Sequence, residues 1–569
     1  MTRSKAGLAA VAVTAAASLV LAGCAQQSNS GPPAGSGAQP AVGFPETPPN
    51  PEVPGGKPGG VFRLGITEPT AIDPYNTQES EGQGVEDSLF TGLLEVTPDG
   101  EPVPGVATDW SPNDTCDTWT FNLKPGTKFH NGEIVDAAAF KRGWERASIK
   151  DSGSEVSYHL DVIKGYDEIS SGAATEMSGV NASNPNQLVV TLKNADCEFP
   201  LRTIHPVAAP MPVAAGPTSN TAFNDAPIGN GPFKMDGKWN HDQGIRLVRF
   251  DDYTAGPKAF LDAIEFTIVS PSNGVQLEYD GFVNGTFDWA RMPAPLIAQN
   301  RSTYEPQGKW ISRKTNATNY FVTGDTTAPL NSVDARKAVS MAIDRNAIAQ
   351  GVFKGAQVPA TSMIPAAFRD VYQEGVCDAC TFNLDEAKKL AEKAGLKPGT
   401  EINLFYNTGA GHEEWTAAVR QQLEKNLGLV VKYSGVPFND HLNNLEAPTM
   451  SGLNRLAWSA DYPTPGNFMI PLMATSSMKL DAQGNVKGNN YSRYSNPEFD
   501  ALVLKASATK DEAERSKLWQ QAEQMSIGRD LALMPMFQRQ QFRLVATDRF
   551  ANINMDFSEN PTFDKIFLK

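Results

Sequence analysis

Two residues of opposite charge bracket a short segment of mostly small or apolar residues. The segment runs Arg455-Leu456-Ala457-Trp458-Ser459-Ala460-Asp461-Tyr462-Pro463. Its alternation predicts a β-strand, and the acidic residue and proline at its end predict a turn. Side chains two positions apart share a face of a strand, so Arg455 and Asp461 are expected on one face, with the small Ala457 and Ser459 between them. That face offers a cation at one end and an anion at the other, which suits a zwitterion such as a short peptide.

The same segment also permits a structural interpretation. Arg455 and Asp461 would then be ordinary surface charges, and Trp458 would be an ordinary core residue. The local sequence alone favours this structural interpretation, and the remainder of the chain reverses that preference.

The N-terminus has the features of a targeting segment. Arg3 and Lys5 precede a mostly apolar run at 6–20, which ends in Leu-Ala-Gly-Cys24. The run is too short and too alanine-rich for a membrane span. Its ending resembles a bacterial lipobox, which implies cleavage before Cys24 and a lipid on the Cys24 thiol. A simple secretory signal with a chance cysteine is the alternative.

Composition separates a tether from a folded part. Residues 25–58 are rich in Gly, Pro, Ser and Gln, so a disordered tether is expected at 24–58. About 510 residues follow, which predicts two or three domains. The formal net charge of −15 argues against nucleic-acid binding, which needs clustered Lys and Arg.

Several motifs in the folded part occur in the order of a known family. They are Ile72-Asp73-Pro74, Val106-Ala107-x-x-Trp110, Thr118-Trp119-Thr120-Phe121-x-Leu123, Phe129-His130-x-Gly132, Pro227-x-Gly229-x-Gly231-Pro232-Phe233, a predicted helix at 333–349 that contains Asp334-x-Arg336 and Asp344-Arg345, and Tyr494-x-Asn496-Pro497-x-x-Asp500. In this order they resemble the oligopeptide- and dipeptide-binding proteins of bacterial ABC importers, solute-binding protein family 5. The glycines and the helix motif are expected to be structural, with Ser332 as the helix N-cap.

The resemblance implies an α/β fold with two lobes, of the periplasmic-binding-protein-like type (class II), and an extra domain near the N-terminus. The expected divisions are a signal peptide at 1–23, the tether at 24–58, lobe I at 59–95, 210–315 and 535–569, the extra domain at 96–209, and lobe II at 316–534. Two crossings between the lobes would form a hinge that closes on the ligand.

The resemblance also implies site residues and partners. Asp461 would hold the amino terminus of a short peptide, and Arg455 would reach the carboxylate. The backbone of Leu456, Ala457, Trp458 and Ser459 would pair with the ligand as an added strand, next to Tyr462. Gln78, Glu79 and Ser80 are expected to face the cleft. The expected partners are a short peptide, the permease subunits of the importer and the membrane through the lipid anchor only. The protein is expected to act as a monomer on the extracytoplasmic face.

Four cysteines remain beyond the lipid site, which suggests disulfides outside the cytoplasm. Cys116 precedes the predicted strand at 118–123, and Cys197 follows the predicted strand at 188–193. Antiparallel pairing of these strands would bring the two cysteines together. Cys377 and Cys380 would close a small loop. A zinc site with four cysteines and a Cys-x-x-Cys redox site are the alternatives.

The sequence contains no recognisable catalytic motif. Its six histidines form no His-Glu-x-x-His, and there is no Gly-x-Ser-x-Gly. We therefore expect a binding protein without catalytic residues, cofactor or metal. An exported hydrolase that uses Asp461 in an acid/base pair is the alternative from another class. Binding of a metal chelate, haem or an oligosaccharide on the same fold also stays open.

Overall fold

The computed structural model describes residues 44–48, 56–77, 79–270, 272–324, 327–408 and 411–569. Its strands are, in chain order, β1 (Val61–Ile66), β2 (Leu94–Val96), β3 (Pro102–Pro104), β4 (Ala107–Pro112), β5 (Thr118–Leu123), β6 (Val180–Asn184), β7 (Gln187–Thr191), β8 (Phe233–Met235), β9 (Gly244–Arg249), β10 (Ala263–Ile268), β11 (Trp289–Ala290), β12 (Trp310–Thr323), β13 (Gln357–Pro359), β14 (Glu401–Asn407), β15 (Val430–Val436), β16 (Leu453–Ser459), β17 (Leu533–Val545), β18 (Phe550–Ala551) and β19 (Phe567–Leu568).

The α-helices are α1 (Ser80–Leu89), α2 (Ala137–Ser148), α3 (Tyr166–Ser171), α4 (Phe199–Arg202), α5 (Thr221–Asp225), α6 (Gly274–Val283), α7 (Ile297–Tyr304), α8 (Val333–Met341), α9 (Arg345–Gly351), α10 (Leu384–Lys393), α11 (Glu413–Leu427), α12 (Phe438–Glu446), α13 (Gly466–Met473), α14 (Pro497–Ser507) and α15 (Glu512–Glu523). Within the described ranges, no helix is both long and apolar enough to cross a membrane.

The largest sheet runs through both lobes. Its strand order is β15-β14-β16-β12-β17-β11-β1-β10-β9-β8, and β13 pairs with β17 beside this path. The long strands β12 and β17 pair antiparallel, and their register shifts between Lys314 and Thr318 and again between Asn319 and Tyr320. At its C-terminal end β17 pairs with β11, and at its C-terminal end β12 pairs with β16 over Ala317–Thr323, a stretch that includes the second shift. The two strands are therefore the crossings between the lobes, and the two lobes share one sheet.

The region predicted as an extra domain has a sheet and a core of its own. Its antiparallel sheet has the order β4-β5-β7-β6, and β5 buries Trp119, Phe121 and Leu123 on one face. Arg146 on α2 ties this region to lobe I. Its Nη1 and Nη2 donate to the two carboxylate oxygens of Asp73 at 2.8 and 2.6 Å, and both side chains are at most 1% exposed. The aspartate of the Ile-Asp-Pro motif is thus a structural residue.

A contact between the His130 ring and the backbone of Gly229 and Gly231 also joins this region to lobe I, and it explains the glycine motif. The His130 ring accepts the Gly229 N–H at Nδ1 and lies 3.1 Å from the Gly231 carbonyl at Nε2. A Cβ at Gly229 would lie 1.9 Å from the Leu89 carbonyl oxygen. Only glycine permits this close approach of two backbones. The motif is therefore structural, as predicted.

The prediction of a single helix over 333–349 is wrong, because the structure has two helices there. Ser332 caps α8 as expected, with its side chain accepting the Ala335 N–H. The first helix ends at Met341, and Asp344 caps α9 by accepting the Ala347 N–H. An aspartate within an apparent helix can start a new one, because its side chain competes for backbone N–H groups.

Part of the predicted tether is packed against the folded domain. Phe44 exchanges two hydrogen bonds with the Gln540 side chain, at 3.0 and 2.6 Å, and Thr47 donates its N–H to the Ser312 carbonyl at 2.7 Å. The ring of Phe44 lies edge-on to Phe542, 5.4 Å away. The prediction of a disordered tether over 24–58 therefore does not hold for residues 44–48. Cys24 and the signal segment lie outside the described residues.

Both predicted disulfides are confirmed. Cys116 and Cys197 are bonded with their Cα atoms 5.0 Å apart, and Cys377 is bonded to Cys380. The antiparallel pairing of β5 with β7, in which Thr118 faces Thr191, brings the first pair together.

The two disulfides should contribute unequally to stability. They span 81 and 3 residues. Loop-closure entropy predicts a loss of about 4.5 kcal/mol for a Cys116→Ser/Cys197→Ser variant and about 2 kcal/mol for Cys377→Ser/Cys380→Ser. Urea denaturation of both variants and the parent measures the difference. Equal losses, or a larger loss for the short loop, would contradict the entropic explanation.

Candidate functional site

β16 is fully paired on one side only. β12 pairs with it from Leu453 to Ser459, whereas β14 reaches only Leu453 and Asn454. Beyond that point the Arg455 carbonyl lies 2.7 Å from His441 Nε2 instead of another strand. Backbone groups alternate between the two edges of a strand, so the N–H and C=O groups of Ala457 and Ser459 point to the open edge. An extended ligand can add to such an edge.

Asp461 lies just beyond the end of this open edge, where Asn467 of α13 holds it. The Asn467 amide donates to Asp461 Oδ2 at 2.9 Å. Its oxygen accepts the Asp461 N–H and the Trp458 Nε1–H, both at 3.0 Å. Asn467 cannot be identified from the sequence, because a single amide six residues downstream carries no recognisable signal.

The Asp461 carboxylate is half-buried. Its partial burial raises its pKa to about 6, although the Asn467 hydrogen bond and Arg202 act in the opposite direction. Among the described residues, no Lys, Arg or His forms an ion pair with Asp461. Arg202 is paired with Asp196 at 2.8 Å. An added ammonium group would therefore stabilise the charged form of this carboxylate.

Arg455 is a buried cation that is held only by neutral groups. Its Nη1 and Nη2 donate to the side-chain oxygens of Asn407 and Asn319 at 3.1 and 2.6 Å. Its Nε is buried without a hydrogen-bond partner, and burial lowers the pKa of the side chain to about 9. Six extended residues span about 20 Å, so a ligand between Asp461 and Arg455 would have to be a few residues long.

The other residues predicted around the strand divide into exposed and packed ones. Ala457 and Ser459 are exposed, and Trp458 is half-buried. Leu456 belongs to the hydrophobic core of lobe II. Tyr462 is 2% exposed, and the Arg202 guanidinium lies 5.0 Å from its ring centroid. Tyr462 therefore packs against Arg202, in the region predicted as the extra domain. The sequence did not predict this contact.

The segment predicted at 78–80 is only partly described. Gln78 lies outside the described residues. The Glu79 carboxylate accepts the N–H and the hydroxyl of Thr70, at 2.8 and 2.7 Å, so it fixes the local turn. Ser80 is exposed at the first position of α1, and its carbonyl accepts a bond from Asn560.

Two cavities flank the turn that follows β16. One of about 680 Å³ includes Asp461 and extends into lobe I, where α1, β2, β3 and the C-terminal segment line it. The other, of about 490 Å³, includes Pro463, Pro465, Arg313 and Trp519. Both volumes fall in the range of about 300–1,000 Å³ that is typical of small-molecule sites. Within the described ranges, no group of three or more His, Cys, Asp or Glu is arranged to hold a metal ion.

Comparisons with known proteins agree on one family. The family model described as bacterial extracellular solute-binding proteins, family 5 Middle, matches residues 101–479. The oligopeptide-binding protein OppA of Bacillus subtilis is 28% identical over 483 residues, which are 83% of this chain and 86% of the relative. The periplasmic oligopeptide-binding protein OppA of Salmonella typhimurium is 27% identical over 492 residues, which are 84% and 87% of the two chains.

A solved structure supports the same fold. The murein tripeptide binding protein MppA of Escherichia coli matches with a TM-score of 0.73 at 23% identity, over 90% of this chain and 98% of that chain. This confirms the predicted two-lobed α/β fold. Because the family model covers more than half of the chain, the protein belongs to family 5 of the bacterial extracellular solute-binding proteins.

Proposed function

We propose that this protein is the lipid-anchored, extracytoplasmic substrate-binding subunit of an ABC importer. In this proposal it captures short peptides in the cleft between its lobes and delivers them, chemically unchanged and as a monomer, to the permease. The observation that carries the proposal is the open edge of β16, which ends at the half-buried Asp461 carboxylate, a group that forms no ion pair with any described residue.

The open edge accounts for affinity that does not depend on ligand sequence. The N–H and C=O groups of Ala457 and Ser459 provide donors and acceptors at the spacing of an extended peptide. Leu456 and Trp458 anchor the strand in lobe II, where both pack against its core. Main-chain pairing of this kind recognises the backbone that all peptides share.

The charged groups account for recognition of the peptide ends. Asp461 would pair with the ammonium group, and Arg455 would approach the carboxylate of a short peptide. Arg455 is buried and Asp461 is half-buried, and neither forms an ion pair with a described residue, so each would gain from the charge that a zwitterion brings. The names of the Bacillus and Salmonella relatives, both oligopeptide-binding proteins, support a peptide over other solutes.

Replacing Asp461 by asparagine should weaken peptide binding without unfolding the protein. Asp461→Asn keeps the shape and removes the charge. We expect a loss of about 2–4 kcal/mol for trialanine, roughly 30- to 1000-fold in Kd, measured by isothermal titration calorimetry. Asp440→Asn, which removes an exposed charge from the same lobe, is the matched control and should bind like the parent.

N-acetyl-trialanine distinguishes a direct contact from damage to the fold. Acetylation should weaken binding to the parent by a similar factor and cause little further loss in Asp461→Asn. Equal losses in both proteins would remove Asp461 from the site. Tight binding of the acetylated peptide by the parent would reopen the non-peptide ligands.

Peptide affinity should fall in mild acid. Without ligand the pKa of Asp461 is about 6, and a bound ammonium lowers it, so binding is strongest above pH 6 and weakens as the pH falls below that value. Between pH 7 and pH 5, Kd for trialanine should rise roughly tenfold. The Asp461→Asn protein should lack this component. An unchanged parent affinity at pH 5 would contradict a contact between Asp461 and the ammonium group.

The anchor can be tested separately from the site. Cys24→Ser removes the thiol that the lipobox would lipidate, so the protein should move from the membrane fraction to the soluble fraction. Immunoblots of fractionated cells measure this, and Cys116→Ser/Cys197→Ser is a control that keeps the lipobox. Full membrane retention of Cys24→Ser would contradict lipid anchoring.

A further inference from the structure

The cavity of about 680 Å³ beside Asp461 holds carboxyl groups without cationic partners. Asp87 on α1, Glu95 on β2 and Asp556 in the C-terminal segment all line it. In the described part of the chain, no Lys, Arg or His forms an ion pair with any of these three. Asp564 and Lys565 also line the cavity, and each has an interaction partner.

These carboxyl groups lie close enough together to repel one another, and their burial differs: Glu95 and Asp556 are half-buried, and Asp87 is exposed. Partial burial, together with the nearby Asp87, Asp564 and Asp556, raises the pKa of Glu95 to about 8. Partial burial and the nearby Asp87 also raise the pKa of Asp556 well above its usual range. A bound cation would reverse this cost for all of them.

A buried histidine with one unpaired ring nitrogen independently indicates a ligand in the same cavity. His205 lines the cavity and is 4% exposed. Its Nδ1 accepts the Val207 N–H at 3.2 Å, and burial lowers its pKa to about 3, so the neutral ring carries its proton on Nε2. Nε2 has no hydrogen-bond partner among the described residues. It therefore offers a donor to a ligand carbonyl, as a peptide provides.

The walls suit an organic cation on an apolar stem. Besides its polar groups the cavity is lined by apolar and aromatic residues, which include Leu94, Phe233, Tyr253, Phe260 and Phe563. Lysine and arginine bury their methylene stems against such surfaces while the charged end meets an acid.

We propose that this cavity binds a lysine or arginine side chain from the first or second position of the peptide, which makes the protein selective for cationic peptides. The inference rests on the proposed function, because Asp461 at the edge of the same cavity places the peptide amino terminus there. Asp87 and Glu95 are the specificity-determining residues, and His205 is the donor to the adjoining carbonyl.

Matched peptides test the selectivity. Lysine and norleucine differ at the end of an otherwise equal side chain, so we compare Lys-Ala-Ala with Nle-Ala-Ala and Ala-Lys-Ala with Ala-Nle-Ala by isothermal titration calorimetry. A charge-assisted contact should favour lysine by roughly 10- to 100-fold at the first or second position. Ala-Ala-Lys and Ala-Ala-Nle should bind about equally.

A double variant tests the residues. Asp87→Asn/Glu95→Gln removes the two charges with little change of shape, so the preference for lysine should disappear while norleucine peptides bind as before. Glu168→Gln, which removes an exposed charge from α3, is the control and should keep the preference. Thermal unfolding should show no loss of stability in the double variant, because both carboxyl groups lack cationic partners.

The outcomes separate this inference from the proposed function. Equal affinity for lysine and norleucine peptides, together with weakened binding in Asp461→Asn, would overturn the cationic cavity and leave peptide capture intact. A preference for lysine that survives in the double variant would remove Asp87 and Glu95 from the site. Failure of every peptide to bind would overturn both proposals.

Discussion

The lobes of this protein depend on one pair of antiparallel strands. β12 and β17 pair over most of their length, and each strand contributes to the hydrophobic cores of both lobes. Where the pairing is regular, its hydrogen-bond ladder resists bending, and it is interrupted at the register shifts near residues 314–320. The open-edge residues Ala457 and Ser459 lie beside these shifts, opposite Asn319 and Ala317 of β12. In the proposed capture of a peptide, a closing motion would bend the sheet at the shifts and move this edge relative to the acidic cavity in the other lobe.

The buried charges fall into two groups that differ in their partners. Arg146 is matched by Asp73, and Arg345 donates to the carbonyls of Ser340, Cys380 and Pro535. Each of these cations joins distant segments of the chain. Arg455, like Arg345, is buried and donates only to neutral oxygens. Asp461 is half-buried, and among the described residues it forms no ion pair. A carboxylate in this position is unfavourable in the empty protein, and an added ammonium group would offset that cost.

The sequence predicted what local patterns determine. Alternation indicated β5 and β16, the order of motifs indicated the two-lobed fold, and antiparallel pairing indicated the Cys116–Cys197 disulfide. The contacts that no local pattern determines were missed. Asn467 orients Asp461 through a helix that starts after a turn, and Phe44 packs against Phe542 from almost the other end of the chain. The acidic cavity unites α1, β2 and the C-terminal segment, and their proximity exists only in the folded chain.

The division between backbone and side-chain recognition explains why the general function is easier to predict than the ligand. In the proposed site, the open edge of β16 and the Asp461 carboxylate would contact groups that all peptides possess, and both occur in one short stretch that can be recognised from the sequence. Preference among peptides would have to come from the walls around the ligand side chains, since the shared groups cannot discriminate. The proposed walls carry carboxyl groups at Asp87 and Glu95, which form no ion pair with a described residue and lie on two different elements. Specificity would therefore be a property of the cavity walls, and it could change without any change in the strand proposed to hold the peptide backbone.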